Sequence, residues 1–106
     1  MSFFDIFSQK DINAGIRHFK KTENAVLLDV RTEREYANGH IQGSRNIPLD
    51  SISRIDAIVS DKATPLFVHC LSGGRSAQAT SYLRKSGYTN VHDIGGINSY
   101  RGELTV

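Results

Sequence analysis

Two short apolar runs constrain this chain more than any other feature. Ala25-Val26-Leu27-Leu28-Asp29-Val30 is almost continuously apolar, and Pro65-Leu66-Phe67-Val68-His69 repeats the character later in the chain. Runs of this length, without polar alternation, read as strands covered on both faces, which is the habit of a parallel sheet. Helix signals follow each run. Thr32 and Glu35 have capping-box spacing and open a short helix through about Ala37. After the second run, Ala77 to Ser86 carries Ala79, Tyr82 and Leu83 on one face, bases in its last turn, and Gly87 just beyond.

The rest of the chain continues the alternation. Phe4-Asp5-Ile6 reads as a short first strand. Ser8 is placed to cap a helix, with Asp11 three residues on and Ile12, Ile16 and Phe19 along one face. Residues 39–43 form a turn, Arg45-Asn46-Ile47 a brief strand stopped by Pro48, and Asp50 caps a helix carrying Ile52, Ile55, Ile58 and Val59. A last strand falls near Asn90-Val91-His92-Asp93, before Gly95-Gly96. The expected fold is α/β, a mostly parallel sheet with helices on both faces. Ligands of such sheets bind outside the carboxyl ends of the strands.

At 106 residues, the chain is expected to be one domain spanning 1–106. A net charge of +2, with no basic run longer than Lys20-Lys21, gives no reason to expect a nucleic-acid partner. No apolar run approaches membrane-spanning length, so no membrane partner is expected. Residues 1–7 lack a basic leader and are interrupted by Asp5, unlike a signal peptide. The one cysteine excludes an internal disulfide framework and a thiolate-rich zinc site, and points to a reducing, cytoplasmic compartment. His18, His40, His69 and His92 show no metal-ligand spacing, so no metal is expected.

That cysteine, Cys70, sits where the second strand feeds the loop Leu71-Ser72-Gly73-Gly74-Arg75-Ser76 and then a helix. Unpaired N–H groups at a helix N-terminus stabilise a thiolate or cradle an anion. The thiolate is the nucleophile, so this setting suits covalent chemistry at sulfur. Gly73 and Gly74 supply the positive φ that a tight ring of inward amides needs. Arg75 lies in the first helical turn, where the macrodipole disfavours a cation, and an incoming anion would resolve the conflict. Ser76 either bonds the sulfur or caps the helix. His69 points to the opposite face of its strand and is expected to be buried and hydrogen-bonded rather than a general base. Asp29 is read as a loop anchor at a strand end.

Three motifs together resemble the rhodanese homology domain. They are Asp29-Val30-Arg31 with Glu35-Tyr36, Gly39-His40-Ile41, Gly43-Ser44 and Asn46-Ile47-Pro48; Cys70-x-x-Gly73-x-Arg75-Ser76; and Gly95-Gly96-Ile97 before Tyr100, where the family usually has Trp. The resemblance implies a three-layer fold with a five-stranded sheet, and a sulfurtransferase of the thiosulfate type that needs no cofactor. Cys70 would take sulfane sulfur from a small donor, thiosulfate or a persulfide, and pass it to a thiol or cyanide acceptor. Residues 71 to 76 would form the binding loop, supported by Asp29 and Arg31. Related phosphatases carry Cys-x5-Arg, whereas this chain has Cys-x4-Arg, a tighter ring matched to sulfur rather than to a phosphoryl group. Leu71 stands where some thiosulfate enzymes have a basic residue, which leaves Arg75 as the loop's only cation. A sulfur-relay or binding module, fed by a partner protein, is the alternative; a phosphatase or arsenate reductase is the less favoured one.

Overall fold

The computed structural model describes residues 10–106. The expected strand at Phe4-Asp5-Ile6 and the expected cap at Ser8 lie outside them. The first described helix, α1 (Ile12–Lys20), is capped by Asp11, whose side chain accepts from the Asn13 amide at 2.9 Å. Strand β1 (Val26–Asp29) leads through a true capping box at Thr32 and Glu35 into α2 (Glu33–Ala37). Strand β2 (Ser44–Asn46) precedes a 3₁₀ turn, Leu49–Arg54, and α3 (Ile55–Ile58). Asp50 does not cap this helix. It lies inside the 3₁₀ turn, because Pro48 occupies the cap position and fixes the chain's entry. Strand β3 (Leu66–Cys70), α4 (Gly74–Lys85), β4 (Val91–Gly96) and a 3₁₀ turn, Ile97–Ser99, complete the order.

The sheet is parallel throughout, with order β2-β1-β3-β4. It has four strands among the described residues, where the resemblance implies five. Leu28, Val30, Leu66, Val68 and Cys70 face a core closed by α3, α4 and the first 3₁₀ turn. Leu27 and Phe67 face a second core built with Ile12 and Ile16 of α1. Both sheet faces are therefore covered, as the apolar runs require. On α4 the buried face is Ser76, Ala79, Thr80 and Leu83, while Tyr82 is exposed. Ser76, Ala79, Thr80 and Leu83 follow i, i+3, i+4, i+7 spacing, so Tyr82 falls to the side of the buried stripe, two of whose four positions are polar and carry no apolar signal. Chain order reverses between β1 and β3, which makes the crevice at their carboxyl ends the topological switch point. Asp29 ends β1 and Cys70 ends β3.

Candidate active site

Cys70 is the last residue of β3, with its side chain on the α4 face of the sheet and only 1% of its surface exposed. Gly73, at φ +111°, turns the chain into α4 and serves as its N-cap. Its amide donates to Cys70 Sγ at 3.0 Å. The thiol stands 3.6 Å from Ser76 Oγ, which itself donates to the Gly73 carbonyl at 3.0 Å. Burial pushes the Cys70 thiol up, but the Ser76 hydroxyl and the amides of Ser76, Gly73 and Ser72 outweigh it, so its pKa lies below the ordinary thiol value. The sulfur is thus biased toward thiolate by dipoles already in place. Only Gly73 of the glycine pair uses left-handed backbone; Gly74 is the first helical residue.

The loop is held from behind by the end of β4 and the turn after it. Leu71 O accepts from the Asn98 amide at 3.0 Å, and a Cβ on Gly96 would clash with that same carbonyl. Gly96 is therefore required for close approach rather than for a turn. A bulge between Val68 and His69 of the β3–β4 ladder, absorbed at Gly95 with φ +97°, brings Gly96 level with Cys70.

Arg75 is not a free cation. Its guanidinium makes a two-pronged pair with Glu35, Nη1 to Oε1 at 2.6 Å and Nη2 to Oε2 at 2.9 Å. The Arg75 bonds, helped by Thr32, hold the Glu35 carboxyl well below the usual range, at about 2, against the opposing effect of burial. This pair spans the crevice from the element after β1 to the element after β3. Deeper in, Arg31 Nε reaches both oxygens of Asp29 at 3.0 Å, and its Nη2 reaches Oδ2 at 2.7 Å. Arg31 Nη2 also donates to Gly39 O at 2.8 Å, while Asn46 holds the carbonyls of Asp29 and Arg31, each at 2.9 Å. Asp29 and Arg31 thus anchor the loop after β1.

His69 lies on the face opposite Cys70 and is fully buried, but neither ring nitrogen has a hydrogen-bond partner, contrary to expectation. Its Nε2 stands 4.0 Å from Asp29 Oδ2. Burial lowers its pKa, so the ring is neutral at neutral pH and this contact is no ion pair. A cleft of about 460 Å³ opens beside the loop, lined by Ser72, Gly73, Gly96, Asn98, Lys10 and Asp93 among others. Among the described residues no three metal-ligating side chains converge, and no helix is long and apolar enough to cross a membrane.

Sequence reasoning reads Glu35 as a helix cap and assigns no role to Asn98 or to the close approach at Gly96. The signal for Glu35 is its place in the first motif, across the crevice from Arg75; nothing in the sequence marks Asn98.

The rhodanese-like domain family matches residues 15–103. YqhL of Bacillus subtilis is 35% identical over 99 residues, covering 92% of this chain and 72% of its own length. The thiosulfate sulfurtransferase PspE of Escherichia coli is 41% identical over 71 residues, covering 66% of this chain and 68% of its own. A solved structure described as a rhodanese with anions from E. coli has a TM-score of 0.71 at 35% identity, over 76% of this chain and 96% of that one. This chain belongs to the rhodanese-like domain family.

Proposed function

We propose that this protein is a sulfurtransferase that carries sulfane sulfur on Cys70 as a persulfide. The observation that carries the reading is the position of Sγ at the end of β3, met by the Gly73 amide and Ser76 under the N-terminus of α4. The downward shift of the thiol pKa supports attack by thiolate without a general base. With thiosulfate, the Cys70 thiolate attacks the outer sulfur, the S–S bond of the donor breaks, and sulfite leaves with its electron pair. Cyanide or a thiolate then attacks the outer sulfur of the Cys70 persulfide, and the Cys70 thiolate is released. Neither step needs an external oxidant or reductant. The Gly73 amide that meets the Cys70 sulfur would meet the persulfide's inner sulfur in the same way. Similarity to PspE, named a thiosulfate sulfurtransferase, supports this chemistry.

Intact mass after incubation with thiosulfate, and separately with a small persulfide, tests the reading. One added sulfur atom that dithiothreitol removes, absent in Cys70→Ser, is expected. A folded wild-type protein that takes up sulfur from neither donor would sink it.

A further inference from the structure

We propose that Glu35 sets the donor specificity of the Cys70 loop by holding Arg75 in a closed ion pair, so that the site takes sulfur from a thiol persulfide in preference to dianionic thiosulfate. This rests on the sulfurtransferase reading. It adds a residue and a substrate class that the reading leaves open.

Arg75 is the only cation of the loop, and both its terminal amines are fixed on the Glu35 carboxylate. The pair is preorganised, because Glu35 Oε1 also accepts from the Thr32 amide at 2.9 Å as part of the capping box. A carboxylate locked by its own helix loses little further entropy in holding a guanidinium. The surroundings do not restore positive charge. Arg75 and Asp50 both line a small cavity of about 70 Å³. On the other side of the loop, Lys10 shares the wall of the larger cleft with Asp93. Arg75 is therefore paired and Lys10 shares its cleft with a carboxylate, so a dianion meets little uncompensated positive charge on approach. A persulfide carries at most one negative charge and reacts through a sulfur with no oxyanion to satisfy. The Cys70 thiolate attacks the outer sulfur of R–S–SH, and the donor's S–S bond breaks. R–S⁻ leaves with the electron pair, and Cys70–S–SH is formed with the proton retained.

Glu35→Gln isolates the charge. Gln serves as well as Glu at this position of a capping box, so α2 keeps its acceptor while Arg75 becomes an uncompensated cation. The ratio of kcat/KM for thiosulfate to that for cysteine persulfide should rise about tenfold or more, the size of one charge-assisted hydrogen bond to an anion. The rise should vanish in the Glu35→Gln, Arg75→Ala double variant, since it acts through Arg75. A merely structural Glu35 would lower both donors together and leave the ratio unchanged, which overturns the proposal. So does a wild-type ratio already favouring thiosulfate. Sulfate binding by calorimetry in a Cys70→Ser background separates this from the parent reading. Tighter binding with Glu35→Gln supports the charge role whether or not Cys70 carries sulfur, and unchanged binding overturns it. Failure of both donors to load wild-type Cys70 counts only against sulfur transfer.

Discussion

Two carboxylate–guanidinium pairs flank the crevice between β1 and β3, built from the same groups and used differently. Asp29 and Arg31 are two residues apart, with 0% and 5% of their surfaces exposed. Arg75 and Glu35 come from separate elements, and their side chains remain 31% and 27% exposed. The buried pair also binds backbone: Arg31 donates to Gly39 O, and Asp29 accepts from the Arg31 amide at 3.0 Å. It is therefore part of the frame. The partly exposed pair has solvent on one side, so its charge balance is open to whatever approaches the crevice. Burial makes the first pair scaffold and leaves the second open to solvent, as the proposed tuning role requires.

The largest expected effect breaks the buried pair. Arg31→Ala leaves the Asp29 carboxylate buried without its partner, and should cost about 3–5 kcal/mol in urea unfolding. Arg75→Ala should cost about 1 kcal/mol or less, since its partner can be solvated. Equal losses would erase the distinction between the two pairs.

Gly96→Ala separates frame from site. Its Cβ would clash with the Leu71 carbonyl, so the loop must shift. We expect about 1–3 kcal/mol of destabilisation from overpacking. The Cys70 alkylation midpoint should rise with it, as the amides leave the sulfur. A variant with an unchanged midpoint would mean that β4 does not position the loop.

Acid titration should distinguish the pairs more gently. The folded-state pKa of Glu35, about 2, lies below its ordinary 4.5. Its contribution is then fully present above about pH 4.5 and is lost as pH falls through about 2. Allowing for solvent at a partly exposed pair, the stability lost is about 1 kcal/mol. Glu35→Gln should remove that part of the acid slope, and an unaltered slope would show that the pair adds nothing to stability.

The smallest effect is on the nucleophile. Wild-type Cys70 should alkylate with a midpoint below that of an ordinary thiol. Glu35→Gln, by freeing the Arg75 charge, should lower it further by about half a pH unit or less, and Arg75→Ala should raise it. An unmoved midpoint in both variants would place Arg75 too far from the sulfur to matter.

The parallel sheet, the capping box at Thr32 and the cysteine at the end of β3 are legible in the sequence, because each rests on local spacing. The Asp50 cap and the Tyr82 face fail for local reasons as well: Pro48 takes the cap, and the buried stripe of α4 includes the polar Ser76 and Thr80, which an apolar pattern does not register. Glu35 is legible as a cap and illegible as a partner of Arg75. Sequence separation carries no distance, and only the reversal of strand order between β1 and β3 brings the two elements together. His69 shows the same limit. Its strand position predicts the face it occupies, but whether a polar neighbour stands within bonding reach is decided by packing.

By itself, the sequence determined that apolar runs and turn residues would build a covered parallel sheet with a lone cysteine at a strand-to-helix turn. Those are preferences of neighbouring residues for their own backbone and for burial. Only the tertiary structure decided the electrical character of the turn, because charges act through space. Which carboxylate reached Arg75 depended on residues 40 positions apart in the chain being packed side by side.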